Sequence, residues 1–369
     1  MPIFMDRHDV SDEVTAEVVA RLHQQDLAIQ KQYGCRGLTY WFDEHRKMAF
    51  CLIEAPSEQH IIDMHTEAHG DVPNQIIEVD AEVVESFLGR IKDPEKPKDA
   101  DLNIIADPAF RTIMITGFDE TFMDDSLWIH EGGNPINCLH SFKDIFSRFE
   151  GNIARQESNR FIVSFKSVAQ AVWCAIEVQS QFEAWSDTAN CPKAMLKTGM
   201  SVGVPLTEDK PFFEKAVKAA ERMFYISNGR IVVSHEVKKL YRSEKLNVPV
   251  DVTLFEVLST ADEKFLTRLM NYIEETWQNP DLHVDDLGRH LGYSRSQLYR
   301  RMISLSGMSP NNFVRDYRLN KALGLINQQS GNISEIAYET GFNSPSYFAK
   351  CFHKKYGLSP SDYQQQVAD

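Results

Sequence analysis

Two histidines lie four residues apart in a segment that we predict to be helical. His65 and His69 fall on one face of this helix (Ser57–Ala68), so both imidazole rings project in the same direction at a distance suited to chelating one ion. His8 ends the first predicted strand, and Cys51 offers a soft ligand on a neighbouring strand. We therefore predict that His8, Cys51, His65 and His69 bind a divalent transition metal. The alternative is that the histidines are half-buried polar residues, hydrogen-bonded within the packing.

A second group of residues, near the carboxyl end, has the chemistry of a nucleic-acid contact. Arginine suits bidentate contact with guanine, whereas lysine and hydroxyl side chains more often hold phosphates. Such side chains cluster in two short stretches of the last hundred residues. The residues that we expect to contact DNA are Arg295, Ser296, Tyr299 and Arg300 in the first stretch, and Asn343, Ser344, Ser346, Tyr347, Lys350 and Lys354 in the second.

Each stretch belongs to a predicted pair of helices. In Val284–Ser304 a short amphipathic helix ends at Gly292, and Ser294 is placed to cap the next helix. Ile333–Tyr356 repeats this order, with the turn at Gly341. A short helix, a glycine turn and a capped second helix form a helix-turn-helix unit, whose second helix enters the major groove. A long helix between the two units would hold them roughly 34 Å apart, so that they meet successive grooves.

This region resembles the DNA-binding domain of the AraC/XylS family of transcription regulators. The matching residues are Leu287, Leu291–Ser294, Gly307–Pro310, Arg318, Leu319, Ala322, Ile336, Ala337, Gly341, Phe342, Ser346–Phe348, Phe352, Tyr356–Pro360 and Tyr363. The resemblance implies binding to double-stranded DNA and favours an activator, which would contact RNA polymerase. Gly288 departs from the family's usual alanine and should loosen the first helix slightly. The alternative is a helical bundle whose basic residues form only a solvated face.

The composition is that of a multidomain protein in a reducing compartment. The 369 residues suffice for two or three domains. The six cysteines form no CxxC pair, and the sequence shows neither a signal peptide nor a bilayer-length apolar stretch, so we expect a cytoplasmic protein with no membrane partner. The net charge is −14, yet residues 262–369 hold 12 basic and 12 acidic side chains. DNA affinity must therefore come from local clusters of basic residues.

We predict three domains. The first segment (1–92) ends in a charged, proline-containing linker, Lys92–Asp101, and is followed by the middle segment (104–258) and the third segment (262–369). The first segment is expected to be a ferredoxin-like α+β sandwich, the middle segment α+β, and the third all-α with six or seven helices. The predicted elements of the first segment are Ile3–His8 (strand), Ser11–Tyr33 (helix), Gly37–Phe42 and Met48–Glu54 (strands), Ser57–Ala68 (helix) and Gln75–Val79 (strand).

The first segment also resembles a small family of nickel-responsive, ferredoxin-like dimeric proteins. The matching residues are Phe4–His8, Tyr40–Asp43, Cys51–Pro56, His65 and His69–Gly70. The resemblance implies nickel or another divalent transition metal as the ligand and a homodimer as the assembly.

The middle segment resembles the catalytic domain of class III nucleotidyl cyclases. The matching parts are Phe161–Phe165, the helix that begins at Ala169, Thr198–Val204 and Val217–Ser234. These enzymes need two aspartates that hold two metal ions. The corresponding positions fall near Gly117 and Asn159, and the family's Asn-x-x-x-Arg pair is represented by Lys218 and Arg222. The nearby carboxylates are in the wrong register: Asp119, Asp124 and Asp125. We therefore expect a catalytically degenerate domain for dimerisation or for sensing a nucleotide-like ligand.

The sequence thus predicts a DNA-binding transcription regulator that responds to a ligand and is not an enzyme. The effector is unidentified, with a transition metal as the candidate. Two alternatives remain, namely a nucleotidyl cyclase-like enzyme tethered to DNA, against which the missing carboxylates argue, and a metal-buffering protein with a DNA-binding tail.

Overall fold

The computed structural model describes residues 1–118, 135–157, 159–188, 195–207, 212–244 and 255–368. The first segment forms an antiparallel sheet in the spatial order β2-β3-β1-β4, with two helices on one face. Its elements are β1 (Ile3–Asp9), α1 (Ala16–Ile29), β2 (Arg36–Asp43), β3 (Met48–Glu54), α2 (Glu58–Ala68) and β4 (Gln75–Val79). This βαββαβ order agrees with the ferredoxin-like sandwich that the sequence predicts.

Three details of the first segment differ from the prediction. The first helix begins at Ala16 and not at Ser11, and it is capped by Thr15, whose hydroxyl accepts a hydrogen bond from the Val18 amide. A further helix, α3 (Ala81–Leu88), follows β4 and is capped by Asp80, and this helix was not predicted. The predicted linker packs against the sheet, because the Asp93 amide donates to the Leu38 carbonyl at 3.0 Å.

The middle segment contains a six-stranded sheet among its described residues, in the order β10-β9-β8-β5-β7-β6. Its strands are β5 (Arg111–Phe118), β6 (Asn152–Gln156), β7 (Arg160–Phe165), β8 (Leu196–Gly203), β9 (Ile231–Val233) and β10 (Phe255–Val257). Its helices are α4 (Pro135–Arg148), α5 (Val168–Thr188), α6 (Glu214–Ile226) and α7 (His235–Glu244). Strands β5 to β8 repeat the strand order of the first sheet, and β9 and β10 extend it in parallel.

The two sheets pack against each other through one apolar core. In the first sheet this core lies on the face opposite to α1 and α2, and in the second sheet on the face opposite to α4 and α5. Trp41 and Phe50 from the first sheet lie in the same cluster as Ile113 and Ile115 of β5, together with side chains from α3 and α6. Arg111 is fully buried and donates to backbone carbonyls of α3. The first two segments are therefore packed as one unit, and this face of the first sheet is unavailable to a second copy of the chain.

The third segment folds into seven helices among residues 255–368. They are α8 (Thr260–Thr276), α9 (Val284–Leu291), α10 (Arg295–Ser306), α11 (Pro310–Asn327), α12 (Ile333–Glu339), α13 (Pro345–Tyr356) and α14 (Pro360–Ala368). Helix α11 contributes Phe313 to one core and Leu323 to a second, so it joins the two halves. The first of these cores continues into Met223 and Ile226 of α6. None of the helices in the described part of the chain combines the length and hydrophobicity of a bilayer-spanning segment.

Candidate metal cluster and nucleic-acid interface

A buried cluster of histidines and carboxylates lies between the first sheet and its two helices. Side chains alternate along β1, so Asp6 and His8 point to the same face, toward α1 and α2. His65 of α2 lies between two carboxylates, with Nε2 2.9 Å from Asp6 Oδ2 and Nδ1 3.0 Å from Asp26 Oδ1. His69 Nε2 lies 3.2 Å from the same oxygen of Asp26. The histidines thus bridge acidic residues from β1 and α1.

All four of the predicted metal residues meet in this cluster. Asp6, His8 and Cys51 form one set of candidate ligand atoms within 4.8 Å of one another, and Asp26, His65 and His69 form a second. The aspartates were missed as ligands, although two signals were available. Asp6 alternates with His8 on the strand, and Asp26 falls on the buried face of α1. Whether these side chains bind metal stays a prediction.

The charges of the cluster are strongly coupled. Burial opposes the charge of Asp6, but His8 and His65 outweigh it and hold the pKa of this carboxyl well below its usual range. Burial likewise opposes protonation of the histidines, yet Asp6 raises the pKa of His8 to about 10, and Asp26 with Asp6 raises the pKa of His65 to about 9. Without metal, both imidazoles are therefore protonated at neutral pH, and a metal ion has to displace their protons.

The residues present fit a small transition-metal ion. A cavity of about 30 Å³ adjoins the cluster and is large enough for a single ion or water. Imidazole nitrogens with carboxylate oxygens suit nickel, and a carboxylate hydrogen-bonded to an imidazole orients it for coordination. His8 Nδ1 is buried and has no hydrogen-bond partner among the described residues, with Asp71 Oδ2 3.6 Å away. Burial, together with Asp6, raises the pKa of the Cys51 thiol well above its usual value, which makes it the weakest of the candidate ligands.

The first helix pair of the third segment is α9 and α10. The turn glycine, Gly292, has φ +78°, and Ser294 caps α10 as predicted, in a capping box with Gln297. All four residues predicted to contact DNA here are exposed: Arg295, Ser296, Tyr299 and Arg300. The neighbouring Arg301 differs, because it pairs with Asp262 at 3.0 Å and donates to the Tyr293 hydroxyl at 2.9 Å. Arg301 therefore stabilises the fold.

The second helix pair, α12 and α13, has the same arrangement of a short helix, a glycine turn and a capped second helix. Gly341 has φ +78°, and Pro345 occupies the first turn of α13. Five of the six predicted DNA residues are exposed, namely Asn343, Ser346, Tyr347, Lys350 and Lys354. The sixth, Ser344, is half-buried, and its hydroxyl caps the helix by accepting from the Tyr347 amide at 3.3 Å. Lys355 is held by Asn320 at 2.6 Å, so it faces α11.

One arginine fixes the second pair against the first half of the segment. Arg318 of α11 donates from Nε to the Trp277 carbonyl at 2.7 Å and from Nη2 to the Asn279 carbonyl at 2.6 Å. A Cβ atom at Gly341 would lie 2.7 Å from the same Trp277 carbonyl. The turn of the second pair therefore needs glycine both for its backbone conformation and for this close approach.

Gly288, which departs from the family resemblance, lies inside α9. A Cβ atom at this position would come within 2.8 Å of the Tyr293 carbonyl oxygen. An alanine would therefore require the turn after α9 to shift, which gives a packing reason for glycine in this chain.

The two positions that the cyclase resemblance would assign to metal-binding aspartates are near Gly117 and Asn159, and neither carries a carboxylate. A Cβ atom at Gly117 would lie 2.2 Å from the Asn159 carbonyl, so this backbone has no room for an aspartate. The Asn159 side chain is buried and donates to the Phe118 carbonyl at 3.0 Å. Lys218 pairs with Glu214 at 2.6 Å. The carboxylates that the sequence places nearby lie outside the described residues: Asp119, Asp124 and Asp125.

Both ends of the chain match known protein families. A family described as a helix-turn-helix domain matches residues 287–366. A family described as nickel responsive protein SCO4226-like matches residues 4–79.

Individual relatives match parts of the chain. A protein named histidine kinase P4 from Formosa agariphila is 30% identical over 171 residues, which cover 46% of this chain and 12% of that protein. The transcriptional regulator MtrA of Neisseria gonorrhoeae is 32% identical over 120 residues, 31% of this chain and 38% of MtrA. The crystal structure of SCO4226 from Streptomyces coelicolor A3(2) is 31% identical and covers 21% of this chain and 94% of SCO4226, with a TM-score of 0.20. The chain thus spans well under half the length of these two curated relatives.

Proposed function

We propose that this protein is a metal-responsive transcription regulator of AraC type, because residues 287–366 match a helix-turn-helix domain family and residues 4–79 match a family described as nickel responsive protein SCO4226-like. In this proposal the third segment binds specific sites in double-stranded DNA, and the first segment binds nickel or another divalent transition metal.

The observation that carries the DNA-binding proposal is the pair of capped helices on one frame. In α10 and α13 the predicted contact residues are exposed, while the opposite faces supply Leu298 and Phe348 to the cores. Both helices pack on α11, which is 18 residues long and therefore about 27 Å in length. We propose that the two pairs act as two helix-turn-helix units that read neighbouring major grooves.

We propose that a metal ion is the signal that changes DNA binding by this protein. His8, His65 and His69 would hold the ion together with Asp6 and Asp26, and a bound divalent cation would supply positive charge that replaces the displaced protons. The ion can alter DNA occupancy only if it binds one arrangement of the protein better than another. Continuous packing supports such coupling, since the first segment shares a core with the middle segment, which in turn shares one with the third.

The middle segment is proposed to be a structural and sensory domain and not a cyclase, because neither metal-binding position carries a carboxylate. We further propose that the protein is a homodimer. We also propose that it is cytoplasmic, because its DNA target lies in that compartment. The dimer interface lies away from the sheet face that the middle segment covers. RNA polymerase is the expected partner if the protein is an activator.

The test combines calorimetry with DNA binding by the full chain. Nickel, zinc and copper are titrated into wild type, into His69→Gln, and into the control His60→Gln, whose exposed histidine lies on the same helix outside the cluster. We expect His69→Gln to bind nickel at least tenfold more weakly and the control to match wild type. DNA fragments selected by the protein are then measured by mobility shift with and without nickel. Metal binding without any change in DNA affinity would instead indicate the metal-buffering alternative.

A further inference from the structure

A cavity of about 500 Å³ lies between the middle and third segments. One wall belongs to the middle segment and comes from β7, β8 and α6. The opposite wall belongs to the third segment and comes from α8, α11 and Trp277, which follows α8. Cavities of this volume accommodate ligands the size of a drug or a nucleotide.

The lining is cationic, although the chain as a whole is acidic. Five basic residues face two carboxylates in the cavity, whereas the net charge of the protein is −14. Arg222 donates from Nη2 to Asn271 Oδ1 at 2.5 Å and lies 3.9 Å from Glu274, while its buried Nε has no hydrogen-bond partner among the described residues. A buried guanidinium nitrogen that lacks a partner indicates a missing acceptor such as water or an anion.

Aromatic side chains surround these charges. Phe224 and Tyr225 lie on the α6 side, and Trp277 and Tyr317 lie on the side of the third segment. Lys321 sits 5.4 Å from the centroid of the Tyr317 ring, so a positive charge lies beside an aromatic face. Rings and cations together suit a ligand that has both a flat ring and negative charge.

We propose that this cavity binds a small aromatic anion of nucleotide size, with its phosphate near Arg222, Lys218 and Lys321 and its ring among the aromatic side chains. The Glu274 carboxylate offers an oxygen acceptor for ribose or base donors. Since the ligand touches both walls, its binding favours the arrangement in which the third segment is docked on the middle segment. The cavity is thus a second sensory site, separate from the metal cluster.

The test measures ligand binding by the full chain in EDTA, so that metal does not contribute. Adenosine 5′-diphosphate is titrated by calorimetry, and adenosine, pyrophosphate and salicylate are titrated in parallel. We expect saturable binding of the diphosphate at one site per chain, with adenosine and pyrophosphate at least tenfold weaker. Arg222→Gln and Lys321→Gln should each weaken binding at least tenfold, whereas Lys239→Gln, an exposed lysine on α7 outside the cavity, should not.

Each outcome decides the proposal. Binding of salicylate but not of the diphosphate overturns the proposal of a phosphate-bearing ligand of nucleotide size. No saturable binding of any probe at millimolar concentration, or equal binding by wild type and Lys321→Gln, overturns it. Lys321 is exposed, so its variant stays informative even if Arg222→Gln does not fold. A separate measurement, which rests on the proposed function, compares DNA affinity with and without the diphosphate; an unchanged affinity refutes the coupling but not the site.

Discussion

The buried histidine at the centre of the metal cluster should make the stability of the metal-free protein depend on pH. His65 is 1% exposed and has Asp6 and Asp26 as partners, with His8 and His69 adjacent. Its pKa is raised from 6.5 to about 9, and a difference of that size corresponds to roughly 3 kcal/mol in favour of the protonated folded state. Because the folded-state pKa is the higher one, this contribution is fully present below pH 6.5 and is lost as the pH rises through about 9.

The assay is urea unfolding of the full chain in EDTA at several pH values between 6 and 9.5. Wild type should lose roughly 3 kcal/mol more of its unfolding free energy over this range than His65→Gln does. The exposed His60→Gln variant on the same helix should keep the wild-type slope. Equal slopes for wild type and His65→Gln, or a wild-type stability that increases with pH relative to the variant, would refute the charge-paired cluster.

Three further predictions concern the metal and the DNA-binding helices. Nickel binding measured by calorimetry should strengthen at least tenfold between pH 6 and pH 8 and release protons, because His8 and His65 must lose theirs; pH-independent binding would argue against these ligands. Gly341→Ala should destabilise the protein by at least about 1–2 kcal/mol in thermal unfolding, since it forces a side chain into the left-handed region beside the Trp277 carbonyl, and unchanged stability would contradict this contact. Arg295→Ala should weaken binding to a selected DNA site by about 1–3 kcal/mol in mobility shifts, and equal weakening on random DNA would make it a phosphate contact.

Local signals predicted the third segment well. Serine caps, turn glycines and the helical spacing of Leu287, Leu291 and Leu298 each depend on neighbours within a few residues, and the structure contains them as expected. The predicted DNA contacts included Arg300 and left out Arg301, but no local signal indicated what Arg301 does instead. Arg301 is held by Asp262, which lies 39 residues earlier, and no spacing rule within a helix reveals that partner.

Long-range packing explains what the sequence did not predict. Helix α3 is capped by Asp80, which is a local signal. Its apolar face, however, is buried by strands of the middle segment, so the packing that stabilises this helix depends on residues far away in the sequence. Likewise, the spacing of His65 and His69 predicted a pair of ligands. The pairing of His65 with Asp6 and Asp26 depends on how β1, α1 and α2 come together.

The most direct test of the account is the spacing of the DNA sequences that the full chain selects from a randomised pool. Two recognition helices fixed on α11 predict a site with two short conserved elements whose centres lie about 10–10.5 base pairs apart, one helical turn. Substituting Arg295 should degrade one element, and substituting Lys350 should weaken contacts at the other. Selection of no preferred sequence, or of a single element that both substitutions affect equally, would contradict the claim that the two helix pairs read neighbouring grooves.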